Sequence, residues 1–406
     1  MSAGVRRAEA SDIDAWVAAM GVGFLIPVAD GYAEYYAEEV DLDRTWGAYD
    51  GDRVVGTLRS FATTLTVPGP AQVVASALTN VTVSPTHRRR GLLTDMMLAS
   101  LRADAARGEP VSILIASEYP IYGRFGYGAA IEGAAYSLDV PTTRFRRPPA
   151  GEVELVDRDV MRAVAPGVYE RFRATRPGSI DRAPRWWDRT FHQVDVPGDK
   201  PFEGYHALYR SSRGEPEGYV SYSATNRWEH MRKKGELTVE ELVAATPAAY
   251  ERLWRHCCEV DLITVVHAGD RCIEEPLAWL LEDGRALRRT GTFDFVWVRV
   301  LDTAAALSAR RYRVAGALVV EIVDPLGLAA GRMALQGGPD GATCTPTSRS
   351  PDLTMPVDTL GSLYVGGTSA LALADAGRID EHRAGAVLLA DAMFGSPLTP
   401  WCATWF

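Results

Sequence analysis

Apolar and polar positions along the first third of the chain predict strands and helices in turn. Val54 to Thr66 and Val73 to Val83 read as two strands joined by the turn signal Pro68-Gly69-Pro70. The period then changes. Leu93, Met97, Leu101 and Ala105 recur every fourth residue, which predicts a helix from Leu92 to Arg107 ended by Gly108. Val111 to Ala116 follows as a buried strand. The same order returns further on. Glu236 to Ala244 reads as a strand, and Thr246 and Pro247 as the N-cap and first position of a helix towards Glu259. Asp261 to Ala268 reads as the strand after it. This repetition suggests an internal duplication. In the last third, Tyr312 to Val323 and Gly331 to Gly337 predict strands, with Gly338-Pro339-Asp340-Gly341 as a turn, and a small α+β domain fits best.

Two stretches interrupt the pattern: Arg144 to Glu152, rich in arginine and proline, and Asp283 to Thr292, rich in arginine and glycine. They divide the chain into 1–146, 152–288 and 292–406. Three domains suit a length of 406 residues, and 47 % apolar residues suffice to bury a core in each. The net charge of −9 argues against binding to nucleic-acid phosphates. Five scattered cysteines with no C-x-x-C spacing read as a reduced, cytoplasmic chain. No leader pattern opens the sequence, and no apolar run approaches the roughly 18 residues of a membrane span.

The chemistry concentrates in Leu78 to Ala116. A strand ends at Val83, and a helix opens near Gly91 after Arg88-Arg89-Arg90. A helix N-terminus presents unpaired N–H groups and the positive end of the dipole, which together bind phosphate. Gly91 permits close backbone approach to a pyrophosphate, and the arginines add bidentate donors. The segment is neither G-x-x-x-x-G-K-[ST] nor G-x-G-x-x-G, so it predicts neither a P-loop nor a nicotinamide site. The second copy has no such loop before its helix. The seven histidines show no metal-ligand spacing, and no metal is expected. His87 reads as a surface residue, and Cys257-Cys258 as packing.

Arg88-x-x-Gly91-x-Leu93 resembles the acetyl-CoA loop of the GNAT superfamily of N-acetyltransferases, Gln/Arg-x-x-Gly-x-Gly/Ala, and departs from it at Leu93. One branch is more similar, the Eis (enhanced intracellular survival) family. The resemblance lies in Ser84-Pro85-Thr86-His87-Arg88-Arg89-Arg90-Gly91-Leu92-Leu93 and in Ala116-Ser117-Glu118. It continues in Ile121-Tyr122-Gly123-Arg124-Phe125-Gly126-Tyr127-Gly128, in Leu360-Gly361-Ser362-Leu363-Tyr364 and in Phe406 at the end. It therefore spans the chain.

The resemblance implies tandem GNAT domains, the second degenerate, followed by a sterol-carrier-like domain. It implies acetyl-CoA as co-substrate, amines such as aminoglycosides or lysine side chains as acceptors, and a homo-hexamer. By resemblance, the backbone of Val81, Thr82 and Val83 follows the acetyl and pantetheine end. Arg89, Arg90, Gly91, Leu92, Leu93 and Thr94 cradle the pyrophosphate, and Ser117 and Glu118 flank the other side. Tyr122 matches the general acid, while Tyr127 is assigned structure. The carboxylate of Phe406 matches the base, within the first domain's active site. Aminoglycoside-modifying members carry acids in the pocket. Here Trp405 precedes Phe406, and Gly23-Phe24-Leu25-Ile26-Pro27 has no acid, so the pocket is expected to be more aromatic and less anionic. Two other readings stay open: a lipid- or acyl-CoA-binding protein without catalysis, and a transferase for longer acyl groups.

Overall fold

The computed structural model describes residues 3–69, 71–148 and 150–406, so Pro70 of the predicted turn and Pro149 of the first break lie outside them. In the first domain β1 (Gly4–Arg7) leads into α1 (Ile13–Phe24) and α2 (Tyr32–Ala37). A meander of β2 (Thr45–Asp50), β3 (Arg53–Val67) and β4 (Ala71–Val83) follows, then α3 (Leu92–Ala106) and β5 (Val111–Ile115). The short α4 (Tyr119–Tyr122), β6 (Gly128–Ala129) and β7 (Glu132–Asp139) complete this part. The second domain runs through β8 (Glu152–Val156), α5 (Arg158–Arg173), α6 (Pro184–Thr190), β9 (Tyr205–Arg210) and β10 (Pro216–Thr225). A small hairpin, β11 (Trp228–Glu229) and β12 (Arg232–Lys233), precedes β13 (Gly235–Ala244), α7 (Pro247–Glu259) and β14 (Ile263–Cys272). Then come β15 (Leu287–Asp294) and β16 (Val296–Val300). The third domain is a sheet of β17 (Gly316–Val323), β18 (Gly331–Gly338), β19 (Gly341–Pro346), β20 (Leu353–Pro356) and β21 (Asp380–Glu381), packed with helices that include Val357–Leu363.

The two large sheets have equivalent strand orders. One is β1-β2-β3-β4-β5-β16-β6 and the other, read in the same sense, is β8-β9-β10-β13-β14-β7-β15. In each, the central parallel pair (β4 with β5, β13 with β14) is crossed by a helix, α3 or α7. This is the duplication suggested by the periodicity. The breaks at 146 and 292 do not follow the sheets, however, because the halves exchange their sixth strands. Residues 132–139 pair with β14, and residues 296–300 pair with β5. Both strands are short and rich in apolar residues, so either sheet can bury them, and hydrophobic pattern does not choose between them.

The α3 stripe that enters the core is Leu92, Met96, Met97, Ser100, Leu101 and Asp104. Leu93, taken as part of that stripe from its spacing, is only half-buried. The third domain packs on the first through the helix Val357–Leu363. A Cβ on Gly128 would stand 1.8 Å from the Asp358 carbonyl oxygen, and one on Gly361 2.2 Å from that of Val298. Helix backbone and strand backbone therefore touch directly, which only glycine allows at both positions. A buried ion pair from Arg299 Nη2 to Asp324 Oδ2 (2.7 Å) ties β16 to the same domain.

Candidate active site

The central strands of the first sheet part company at one end. Pairing between β4 and β5 stops at Leu78–Leu114, while β4 runs on to Val83. On its other side β4 carries a bulge, with Gly56 opposite Val83, Thr57 opposite Thr82, and Arg59 opposite Thr79. Asn80 takes a left-handed φ of 54° there, and Thr57 Oγ1 donates to its carbonyl (2.8 Å). Residues 79–83 thus present a β5-facing edge that β5 does not pair.

A cavity of about 560 Å³ opens along this edge. Its lining includes Val81, Thr82 and Val83 from β4, Arg88, Arg89, Gly91, Leu92, Leu93 and Thr94 from the loop and α3, and Ser117, Glu118 and Tyr122 after β5. Sequence separation of up to 41 residues between these groups disappears at the parted strands. Gly91, with φ 85°, stands at the N-cap of α3 and offers no side-chain cap, so the first N–H groups of α3 stay free to bind an anion. Arg88 and Arg89 are exposed beside it. Arg90 does not line the cavity as expected, because its Nη2 turns back to the Thr86 carbonyl (3.1 Å).

His87 is buried rather than at the surface. Its Nε2 pairs with Asp50 Oδ2 (3.1 Å) and its Nδ1 with Thr86 Oγ1 (2.8 Å), which pins the loop to β2. That contact holds the Asp50 carboxyl below its usual range. Gly23, Phe24 and Leu25 at the end of α1 form a wall of the cavity, where the family resemblance implied the segment Gly23 to Pro27; Ile26 and Pro27 do not line it. A Cβ on Gly23 would stand 2.3 Å from Thr82 Cβ, so only glycine lets α1 approach β4 this closely.

The two tyrosines of the Gly-rich turn differ in placement. Tyr127 is fully buried and paired with Ser112 Oγ (2.7 Å). Tyr122 is 4 % exposed and lines the cavity. Burial pushes its phenol above the ordinary value, Ser117 partly offsets this, and Glu118 adds to it. At neutral pH Tyr122 is therefore a neutral hydrogen-bond donor.

Phe406 does not line this cavity. Its ring meets Phe61 of β3 edge-on (5.8 Å) on the sheet face opposite α3, whereas Tyr122 packs on the α3 face. Among the described residues, no group of His, Cys, Asp and Glu is gathered that could hold a metal, and no helix is long and apolar enough to cross a membrane.

The second domain has the same parting, since β13 pairs with β14 only up to Val239–Ala268. Here the gap is narrowed to a cavity of about 280 Å³, lined by Val239 to Leu242, Asp270 and Arg271. Buried Arg271 donates from Nη1 to the Leu242 carbonyl (2.7 Å), pairs with Glu275 (3.0 Å), and lies over Trp254 and Trp401. The helix end is closed as well: Thr246 caps α7 by accepting from Ala249 N, and its hydroxyl donates to Glu217 (2.9 Å). A capped N-terminus beside a carboxylate opposes phosphate.

Comparison with known proteins finds two acetyltransferase domains and a third domain of another kind. Residues 4–130 match the family model "Acetyltransferase (GNAT) domain", residues 178–300 match a second model of that description, and residues 303–403 match "Sterol carrier protein domain". An uncharacterized N-acetyltransferase of Streptomyces avermitilis is 43 % identical over 98 % of this chain and 97 % of its own. The N-acetyltransferase Eis of Mycobacterium tuberculosis is 34 % identical over 86 % of this chain and 85 % of its own. Eis1 from Mycobacterium abscessus superposes with a TM-score of 0.88 at 32 % identity, covering 99 % of this chain and 100 % of its own.

Proposed function

The chain belongs to the Eis family of GNAT N-acetyltransferases, and from that premise we propose that the first domain transfers the acetyl group of acetyl-CoA to an amine. One observation carries this reading. The first domain keeps its strands parted over an uncapped helix N-terminus flanked by arginines, in a cavity of about 560 Å³, while the second narrows the same place to about 280 Å³ behind Arg271 and caps its helix.

In this reading the co-substrate supplies the acetyl thioester. The N–H groups at Gly91 to Thr94, with Arg88 and Arg89, hold its pyrophosphate. The free edge at Val81 to Val83 aligns the pantetheine arm and offers an N–H to the thioester oxygen as it gains charge. The amine nitrogen forms the new bond to the carbonyl carbon as the carbon–sulfur bond breaks. Tyr122 hydrogen-bonds the departing sulfur and passes to it the proton that the acylated nitrogen loses, so the phenol ends as it began. A phenol with a raised pKa is a weak acid toward a thiolate, so hydrogen bonding to the sulfur is its main contribution. The Phe406 carboxylate receives the ammonium proton through a water.

The acceptor is an amine of the aminoglycoside or lysine-side-chain class. The apolar wall at Phe24 and Leu25 favours acceptors with an apolar body over compact polycations. A homo-hexamer and a cytoplasmic setting belong to the same reading, and mass measurement in solution tests the first. The activity itself is tested by thiol release from acetyl-CoA across a panel of amines, with mass spectrometry of the products. Thiol release with an acetylated amine supports the reading. Coenzyme A binding without transfer to any amine would leave a binding protein instead.

A further inference from the structure

The cavity of the first domain lies between the end of α1 and β4, and the matching space in the second domain lies between α5/α6 and β13. The chain's own tail walls that space: Trp401, Cys402, Ala403 and Trp405 line what remains of it, a cavity of about 280 Å³. Trp401 N donates to the Pro177 carbonyl (2.9 Å), and Ser179 Oγ donates to the Trp401 carbonyl (2.8 Å). Arg182 Nη2 donates to the Ala403 carbonyl (2.6 Å) and its Nε to Thr404 Oγ1 (2.8 Å). Thr404 Oγ1 also meets Tyr169 Oη (2.8 Å), and Trp405 Nε1 donates to Asp270 Oδ2 (3.0 Å).

Arg182 is the centre of this arrangement. Its side chain is 1 % exposed, pairs with Glu241 Oε1 (2.6 Å), and is stacked on Tyr169 and Trp186 at 3.9 and 3.8 Å. The segment that carries it is fixed to the first domain. Thr66 N donates to the Ser179 carbonyl (2.8 Å), Gly178 N to the Thr66 carbonyl (2.8 Å), and Asp181 Oδ1 accepts from Thr63 Oγ1 and Thr64 N (2.6 Å each). These β3 residues lie next along the strand from Phe61, the residue on which Phe406 rests. Residues 177–182 therefore grip the tail on one side and β3 on the other.

We propose that the second domain's acceptor cleft has become a receptor for the chain's own tail, and that Arg182 is a positioning residue that sets where Phe406 stands over the first domain's parted strands. The proposal rests on the reading that the Phe406 carboxylate serves the amine. It gives the degenerate domain a part in the reaction without a cofactor of its own.

The test is a coupling experiment in the full-length protein. Thr404→Val keeps the shape of the tail and removes the hydroxyl shared by Arg182 and Tyr169. Arg182→Lys keeps the charge and removes the fork. Each is measured alone and in a protein extended by a short Gly-Ser segment after Phe406, which displaces the carboxylate. Arg162→Gln is the control. Arg162 pairs with Asp188 (2.6 Å) and ties α5 to α6 without touching the tail.

The expected result is a fall in kcat of about 10- to 100-fold for Thr404→Val and Arg182→Lys, the effect of a displacement near 1 Å. Their KM for acetyl-CoA stays at the parent value, and Arg162→Gln keeps full activity. In the extended protein neither substitution has any further effect, because what they position is already gone. Losses that multiply with the extension would overturn the proposal and assign Arg182 to stability alone. Full kcat in Thr404→Val would overturn it even if Arg182→Lys does not fold. Full activity in the extended protein would instead overturn the reading of Phe406 on which it rests.

Discussion

Gly91→Ala and Gly108→Ala strain the two ends of one helix in the same way, yet only the first touches the candidate cofactor site. Gly91 has φ 85° and Gly108 has φ 78°. A methyl on Gly91 would find Asp95 Oδ2 at 4.0 Å, and one on Gly108 nothing within 4 Å. Neither meets a clash, so the cost of each is the left-handed backbone alone, about 1–2 kcal/mol for an L-residue. At Gly108, behind the last turn of α3, that cost falls on stability. At Gly91 the loop is exposed and can relax out of the bound shape. Binding must then restore the shape, and 1–2 kcal/mol is about a 5- to 30-fold weaker Kd. Calorimetry with coenzyme A, beside urea unfolding of both variants, reads the two effects. Unchanged affinity in folded Gly91→Ala, or equal weakening in Gly108→Ala, would refute the assignment of the loop.

Tyr122→Phe is expected to lose about 100- to 10,000-fold in kcat with its KM for acetyl-CoA kept. Tyr127→Phe, which strips Ser112 of its partner, is expected to cost about 1–3 kcal/mol of stability with kcat near the parent value; a reversal of the two kinetic results would move the role to Tyr127. Arg271→Met leaves Glu275 buried without its cation and should cost about 3–5 kcal/mol by chemical denaturation, while titration still finds one coenzyme A per chain. Burial pushes the Asp104 carboxyl up to about 6 from its ordinary 3.8. The folded chain then keeps a proton that the unfolded chain gives up, so this contribution is full below pH ~4 and is lost as pH rises through ~6. Asp104→Asn should flatten the stability profile over that interval, and an unaltered slope would show that another group sets it.

The unit β4–loop–α3–β5 was legible because each element carries its own signal: a turn, a fourfold period, a terminal glycine, a basic loop. Its ends in the structure fall within a residue or two of those expected. The exchange of β7 and β16 was not legible, since strand partners are chosen by three-dimensional packing and not by local pattern. His87 was misplaced for a related reason: its partner Asp50 is 37 residues away, and nothing nearby marks the histidine as buried. Arg90 stands in an unbroken basic run, and only the turn at Pro85–His87 shows which arginine folds back. The narrowed gap in the second domain depends on Arg271, which is remote in sequence from the loop where a missing motif could be seen and is brought beside it only by the parallel pairing of β13 and β14. One available signal went unused. Asp181-Arg182 and Trp186-Trp187 lie close together in the sequence, and a cation among tryptophans marks a built internal site.

Hydrogen exchange measured by mass spectrometry, with and without saturating coenzyme A, tests the central claim most directly. The account places the ligand along residues 79–94 and 117–122 and nowhere else on the chain. It predicts slower exchange in those segments and no change across 239–259, where the equivalent cleft is narrowed by Arg271 and the tail and its helix is capped by Thr246. Protection appearing in 239–259, or absent from 79–94, would contradict it.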